Sequence, residues 1–178
     1  MNISSQEELE RLMQKGAKGF ITELTKYTQS ILKENIRKNL YDVDPMTFMK
    51  KPTKKINYKR SKGIYSSVSI NKTQNMGDSF ENSVYFDEDV LYAHKSPKGG
   101  RGNEAYLGTY MDIHNNFVGD ELIESMWIDE GTDNGLRPRY GANYVQDTIN
   151  QIEDMLSGSE IEYEIGKSFN GISVERFK

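Results

Sequence analysis

The chain has 178 residues, enough for one domain with its own core, yet only 35% of them are apolar and 28% are charged. It contains no cysteine, which excludes disulfides, zinc–cysteine sites and thiol chemistry. The formal net charge of −4 argues against a protein that binds polyanions over its whole surface. The low apolar content predicts one of two arrangements. Either extended elements bury their apolar residues against neighbouring subunits, or a small core lies under a well-solvated surface.

Two classes of segment are missing from the sequence pattern. Residues 1–10 carry neither a positive stretch nor an apolar stretch of the kind that begins a secretory signal, so we expect none. No apolar run approaches the roughly 20 residues that a membrane span needs. We therefore expect no membrane partner.

A long amphipathic helix is the first predicted element. Ser5 and Glu8 fit a capping box, in which each side chain satisfies a free backbone amide of the other residue. Apolar residues then recur at helical steps of three and four. The stripe comprises Leu9, Met13, Ala17, Phe20, Leu24, Tyr27 and Ile31, widened by Leu12, Ile21, Leu32 and Ile36. A helix from residue 6 to about residue 40 would be roughly 50 Å long. One small domain cannot cover that length, so part of the stripe is expected to meet another subunit or a sheet edge.

Residues 41–62 lack any periodicity and predict an unusually long loop. The loop holds a basic run: Lys50, Lys51, Lys54, Lys55, Lys59, Arg60 and Lys62. With Tyr58 among the bases, this run is similar to a nucleic-acid contact, but the acidic total charge of the chain favours an acidic protein partner. Acidic residues concentrate elsewhere, at 81–89, 120–130 and 153–164. Such segregated charge suits head-to-tail contact between identical copies.

The middle of the chain is predicted to be mostly extended. Alternation of apolar and polar residues predicts a strand over 63–71 and a second over 83–93, interrupted near Asp87 by a bulge or turn. Residues 73–79 are predicted as a turn containing Gly77. The composition of 94–103 is that of a flexible tip, and 105–113 is a candidate further strand.

Residues 127–140, reading WIDEGTDNGLRPRY, are predicted to connect two elements. They hold a Gly-Thr turn, an Asp-Asn-Gly turn and an Arg-Pro-Arg entry to a helix. Val145, Ile149, Ile152 and Leu156 then follow at helical spacing, and Gly158 stands where a helix would end. The tail alternates again from Ile161 to Val174. These elements predict an α+β fold, in which a long N-terminal helix and a second helix in the C-terminal half pack on a mainly antiparallel sheet with long loops. We divide the chain into a domain over 1–158 and a C-terminal β-arm or extension over 159–178.

No catalytic set is recognisable. His94 and His114 stand apart in polar surroundings. Adjacent carboxylates such as Asp129 and Glu130 point to opposite faces of a strand, which argues against a shared metal. The glycine-rich segment 98–102 lacks the spacing of a phosphate-binding loop. We therefore expect no enzyme, no metal and no cofactor. Trp127 is interpreted as an anchor, either in the core or at an interface.

Four segments in this order resemble a known family: ENIRKN (34–39), GIYSSVSI (63–70), WIDEGT (127–132) and RPRYGANYVQDTINQI (137–152). They are similar to the neck proteins of tailed double-stranded DNA bacteriophages, a group that includes tail-completion and tail-terminator-like proteins. In that family an aromatic-x-x-x-Gly-Thr element precedes an Arg-Pro-aromatic step into the last helix. Trp127, Gly131 and Thr132 match the first part, and Arg137, Pro138 and Tyr140 match the second. Lys62-Gly63 departs from the usual Thr-Gly before the first strand.

The resemblance implies a non-enzymatic structural protein of the virion. Such proteins form head–tail joining rings, commonly of six subunits, between the DNA-filled head and the tail, and they assemble in the host cytoplasm. The implied partners are further copies of the chain and neighbouring neck and tail proteins, with contact to DNA in the channel left open. The alternative is a nucleic-acid-binding protein that uses the basic loop 50–62. The candidate interface residues are Lys50, Lys51, Lys54, Lys55, Lys59, Arg60, Trp127, Arg137 and Arg139.

Overall fold

The computed structural model describes residues 5–48, 62–87, 89–90, 130–132 and 139–158, together with Ile165 and Ser168. These ranges hold a long N-terminal helix, a second helix in the C-terminal half and three small antiparallel sheets. The predicted α+β class is therefore confirmed. The predicted strand over 105–113 and the tip over 94–103 lie outside the described residues.

The first helix, α1, spans Gln6–Ile36. It begins at Ser5, whose Oγ accepts a hydrogen bond from the Glu8 backbone N–H at 3.2 Å. Glu7 and Glu8 lie in the first turn, where their negative charge complements the helix dipole. A wider π-helical turn, Arg37–Tyr41, continues the same rod. The helix predicted from residue 6 to about residue 40 is thus confirmed at both ends.

The predicted loop after residue 40 begins with local structure, a short 3₁₀ helix over Pro45–Phe48. The chain is next described at Lys62, which has a left-handed backbone with φ 62°. A single helical turn, α2, follows over Gly63–Ser67, and strand β1 covers Val68–Ile70. The strand predicted over 63–71 is therefore wrong for its first five residues.

The error at α2 has a physical reason. Ile64 and Val68 are four residues apart, a spacing that fits one face of a strand and one face of a helix equally well. Burial of Gly63, Ile64, Ser67 and Val68 follows the helical period. The Ser67 hydroxyl also donates to the Ile64 carbonyl at 2.9 Å, which satisfies a polar group inside the turn.

Strand β1 pairs with the strand Val84–Phe86. Hairpin strands intervene in the chain, so we number them β2 (Gln74–Asn75) and β3 (Phe80–Glu81), and Val84–Phe86 is β4. The β1–β4 register places Val68 opposite Phe86 and Ile70 opposite Val84. The Asp87 N–H donates to the Ser67 carbonyl at 2.7 Å beyond the last pair. The strand β4 ends at Phe86, next to the interruption predicted near Asp87. Residues 89–90 have helical backbone, so the strand predicted over 83–93 is wrong at those two residues.

Strands β2 and β3 form a small hairpin, in which Gln74 faces Glu81 and Asn75 faces Phe80. Gly77 sits in its turn with φ 93°, a left-handed conformation that favours glycine. The Asn75 Oδ1 accepts a hydrogen bond from the Gly77 N–H at 2.9 Å. The predicted turn at Gly77 is confirmed, although a two-residue strand begins inside its predicted range.

The third sheet joins β5 (Gly131–Thr132) to β6 (Arg139–Tyr140). Gly131 pairs with Tyr140 and Thr132 pairs with Arg139 in antiparallel register. The Gly-Thr dipeptide predicted as a turn is therefore one arm of a strand pair. Gly131 supplies a positive φ of 83° at its start.

The second long helix, α3, spans Tyr144–Ser157. It ends at Gly158, whose N–H donates to the Met155 carbonyl at 3.2 Å. The predicted end is confirmed, while the backbone of Gly158 is extended rather than left-handed. Ile165 and Ser168 have helical backbone, which differs from the strand predicted at Ile165. The other residues of 159–178 lie outside the described ranges, so the C-terminal β-arm stays a prediction.

One core connects these elements. It is formed by the end of α1, the 3₁₀ helix, α2, β1 and the start of α3. Its buried apolar residues are Leu32, Ile36, Leu40, Phe48, Ile64, Val68, Ala142 and Tyr144. Tyr144 is fully buried, and its ring meets that of Phe86 edge to face with centroids 6.3 Å apart. The Gln29 side chain donates to the Val68 carbonyl at 2.9 Å, which ties α1 to the sheet beside this core.

Candidate subunit interface

Most of the predicted interface residues lie outside the described residues. These are Lys50, Lys51, Lys54, Lys55, Lys59, Arg60, Trp127 and Arg137, and the two histidines, His94 and His114, lie outside as well. Arg139 is described through its backbone, which forms β6 and pairs with Thr132. Within the connector predicted over 127–140, the structure therefore brings Gly131-Thr132 against Arg139-Tyr140, shortly before α3 begins.

A buried polar junction joins the end of α1 to α3. The Asn35 side-chain N–H donates to the Thr148 hydroxyl at 3.0 Å, and the Asn35 carbonyl oxygen accepts from the Gln151 amide at 3.2 Å. The Thr148 hydroxyl in turn donates to the Tyr144 carbonyl at 2.7 Å. Asn35 and Thr148 are both buried, with 4% and 5% of their surface exposed. Buried polar groups must find partners, so this network permits essentially one alignment of the two helices.

A second bond continues the junction at its edge. The Asn39 amide donates to the Asp147 carboxylate at 2.6 Å, and both residues are half-buried. Asp147 lies in the first turn of α3, where the helix dipole favours its negative charge. Asn35 and Asn39 are four residues apart, and therefore lie on the same side of the rod.

The junction unites two of the segments that carry the family resemblance. ENIRKN contributes Asn35 and Asn39, and RPRYGANYVQDTINQI contributes Tyr144, Asp147, Thr148 and Gln151. Sequence reasoning did not single out these polar residues. The signal was available in the four-residue spacing of Asn35 and Asn39 and the three-residue spacing of Thr148 and Gln151, both of which predict shared helical faces.

A charged cluster covers the outer side of the same helix end. The Arg37 guanidinium donates to both carboxylate oxygens of Glu34, at 2.9 and 2.6 Å, and it also pairs with Asp42. Lys38 lies 3.3 Å from Glu34. The hydrogen bond from Arg37, aided by Lys38, lowers the pKa of Glu34 to about 2. The same carboxylates raise the pKa of Arg37. These side chains are close to half exposed, so the cluster contributes more to surface charge than to stability.

Helix α3 presents an apolar stripe that the core does not bury. Tyr144 and Thr148 are its buried residues, whereas Ile149 and Leu156 are each 43% exposed. Val145 and Ile152 lie between these two faces and are half-buried. The periodicity of the sequence predicts an apolar stripe from Val145 to Leu156. This stripe therefore faces partly away from the core. Ile149 and Leu156 lie two turns apart on one helix face and are accessible to a partner.

Helix α1 shows the same feature over its N-terminal part. The residues of the stripe from Leu9 to Ile31 are all half-buried or exposed, and Met13 and Tyr27 are 47% and 46% exposed. Leu32 and Ile36, about 100° further round the helix, enter the core instead. The predicted contact of the Leu9–Ile31 stripe with another subunit stays a prediction.

Neither metal ligands nor a membrane span is apparent in the part of the chain that the structure describes. Within the described ranges, His, Asp and Glu side chains form no group of three that is able to hold a metal ion. Among those same residues, no helix has the length and apolarity to cross a membrane.

Comparison of the chain with protein-family models, with curated proteins and with solved structures gives no match. Functional inference therefore depends on the polar junction, on the exposed stripes and on the motif resemblance.

Proposed function

We propose that this protein is a structural subunit of the neck of a tailed bacteriophage, forming a ring, commonly of six copies in that class, that joins the DNA-filled head to the tail. In this role it is a tail-completion or tail-terminator-like component of the virion. Its partners are further copies of itself and the adjacent neck and tail proteins. It carries out no chemical reaction.

The observation that carries the proposal is the Asn35–Thr148 junction. It brings together two motifs, ENIRKN and RPRYGANYVQDTINQI, through two residues that are 113 positions apart in the chain. Family motifs that are distant in sequence are more informative when they are in contact, because chance matches have no reason to meet in the fold. The pairing of Gly131-Thr132 with Arg139-Tyr140 adds a local contact between the third motif and the fourth, which are four residues apart in the chain.

The exposed apolar surface of the helices supports the assembly role. Met13, Tyr27, Ile149 and Leu156 are nearly half exposed and are therefore accessible to neighbouring subunits. A ring subunit has two different faces that contact its two neighbours, and such head-to-tail contacts close when the rotation per subunit permits.

Light scattering coupled to size-exclusion chromatography tests the proposal. The purified chain is examined alone and after mixing with the head-completion and tail proteins of the same particle. A discrete ring in either sample, and labelling at the neck by immunogold electron microscopy, is the expected result. A strict monomer in both samples, together with particles that lack the protein, would contradict it.

The alternative function gives a distinct signature in the same preparations. A nucleic-acid-binding protein that uses the basic loop 50–62 would bind duplex DNA with an affinity that falls by about 0.9 log units per log unit of salt for each neutralised phosphate. Replacing Lys54 and Lys55 by Glu would then abolish DNA binding and leave particle assembly unchanged. The opposite pattern is expected for the ring subunit.

A further inference from the structure

We infer that the exposed stripe of α3, formed by Ile149 and Leu156 and bordered by Glu153, is the docking surface for the basic segment 50–62 of a second copy of this chain. This inference rests on the proposed ring function, because it names the two surfaces that meet between neighbouring subunits.

The exposed residues of the stripe lie on one face of α3. Ile149, Glu153 and Leu156 follow one another at steps of four and three, so their side chains lie on one face of α3. Ile149 and Leu156 are each 43% exposed and Glu153 is exposed, although the opposite face of the helix, with Tyr144 and Thr148, is buried. The helix therefore has one face committed to its own core and one apolar face with a carboxylate beside it.

The charge of α3 is opposite to that of the basic segment 50–62. Helix α3 contains Asp147, Glu153 and Asp154 and no lysine or arginine. Asp147 already accepts a hydrogen bond from Asn39, so Glu153 and Asp154 remain as the outward charges of the helix, and of these two only Glu153 lies on the face of Ile149 and Leu156. Residues 50–62 carry seven bases and no acid. Opposite potentials of this kind favour encounter and fix the alignment of a contact.

The basic segment 50–62 combines cationic side chains with apolar ones. It reads KKPTKKINYKRSK, so that Ile56 and Tyr58 are placed among the bases. A segment that binds phosphates alone needs no aliphatic residue, whereas one that binds an apolar stripe edged by a carboxylate needs both kinds of side chain. Because the two surfaces belong to different parts of the chain, their contact is head-to-tail and extends from copy to copy.

Peptide binding to the full-length chain tests the surface independently of ring formation. A fluorescein-labelled peptide of residues 50–62 is titrated with the protein, and anisotropy gives the Kd. Glu153→Lys is expected to weaken binding about five- to tenfold, because it turns an attraction into a repulsion. The double change Ile149→Ser with Leu156→Ser is expected to weaken it about tenfold by removing apolar contact.

Asp154→Lys is the matched control for charge. It makes the same change of two units one residue away, yet its side chain lies about 100° round the helix from Glu153. We expect its Kd to stay within about twofold of wild type at moderate salt. Met76→Ser is the control for apolar exposure, because Met76 is 58% exposed on the β2–β3 turn, which the inference does not involve. Circular dichroism confirms that every variant is folded.

Full-length chains give a second readout. The chain has no cysteine, so Lys55→Cys and Glu153→Cys can be introduced in separate preparations without background. Mixing the two under oxidising conditions should yield a disulfide between the cysteines introduced at positions 55 and 153, which peptide mapping by mass spectrometry distinguishes from the homodimers of either variant alone. The pair Lys55→Cys and Asp154→Cys should yield much less.

The outcomes separate this inference from the function on which it rests. If wild-type rings form while the α3 variants bind the peptide and assemble normally, the docking surface is wrong and the ring function stands. If the peptide binds with the expected pattern and no ring or neck location is found, the surface is right and the neck function is wrong. Equal losses for Glu153→Lys and Asp154→Lys, or a peptide that binds duplex DNA and not the protein, would overturn the inference.

Discussion

Asn35 and Thr148 are 113 positions apart in the chain and form a buried hydrogen bond of 3.0 Å between α1 and α3. Ile36, next to Asn35 in the chain, and Tyr144, whose carbonyl accepts a hydrogen bond from Thr148, are both fully buried. A polar pair in such surroundings adds little net stability when satisfied and costs much when broken, because water cannot replace the lost partner. Its main effect is to select one alignment of the two helices.

Breaking this pair on one side should be costly. Asn35→Ala removes the acceptor of Gln151 and the donor to Thr148, and we expect it to lower the free energy of unfolding by about 1–3 kcal/mol. Urea denaturation followed by circular dichroism measures the change. Asn71→Ala is the control, since the Asn71 bond to Ser83 is exposed, and it should cost no more than about 0.5 kcal/mol. Equal losses for both variants would show that the junction is not a buried network.

A contrast between two neighbouring tyrosines tests the core. Tyr144 is fully buried whereas Tyr140 is 57% exposed. We expect Tyr144→Ala to lower the free energy of unfolding by about 3–5 kcal/mol, as for other large core aromatics, and Tyr140→Ala to lower it by less than about 1 kcal/mol. Chemical denaturation of both variants measures the difference. A small effect at Tyr144 would place the start of α3 outside the core.

The same substitution at two glycines should have opposite signs. Gly77 has φ 93° and Gly19 lies within α1, and a Cβ would meet nothing within 4 Å at either position. Gly77→Ala is expected to lower the free energy of unfolding by about 1 kcal/mol because of backbone strain alone. Gly19→Ala is expected to raise it by about 0.5–1 kcal/mol through helix propensity. Thermal melts check both, and a loss at Gly19 would indicate that another backbone approaches the helix there.

Acid should weaken the charged cluster at the end of α1. The pKa of Glu34 is lowered from 4.5 to about 2 in the folded state, chiefly by its hydrogen bond from Arg37. A carboxylate with a lowered folded pKa stabilises the protein fully above its unfolded pKa and loses that contribution as pH falls through the folded value. The stability difference between wild type and Glu34→Gln should therefore be constant at neutral pH and shrink between about pH 4.5 and pH 2. Denaturation at a series of pH values measures it. Glu23→Gln is the matched control, because it makes the same chemical change in an exposed ion pair, Glu23–Lys26, on the same helix.

Element ends were predictable from the sequence because single residues mark them. Ser5 caps the start of α1 by accepting a hydrogen bond from the Glu8 backbone N–H, and α3 ends at Gly158. The inward faces of the helices were harder to predict. Periodicity identifies which residues share a face, and it correctly grouped Ile149 with Leu156 and Met13 with Tyr27. It cannot tell which face meets the core when polar residues such as Thr25, Asn35 and Thr148 are the buried ones.

The remaining differences come from short elements. The turn over Gly63–Ser67 and the two-residue strand Gly131–Thr132 are stabilised by contacts distant in sequence, including the pairing of Thr132 with Arg139. Local propensity is weak over so few residues and tertiary contacts override it. The network of Asn35, Thr148 and Gln151 likewise exists only once α1 and α3 have met, so no local pattern could assign its partners.

The distance along the chain between Asn35 and Thr148 also determines the order of folding. Leu32 and Ile36 are synthesised early, but Tyr144, which shares their core, and Thr148, which accepts a hydrogen bond from Asn35, leave the ribosome more than a hundred residues later. Closing so long a loop carries a large entropic cost, which makes docking of α3 a late step. Until then, α1 of the nascent chain exposes the apolar side chains of Leu32 and Ile36. Truncated chains that stop before α3 should therefore aggregate or require a chaperone.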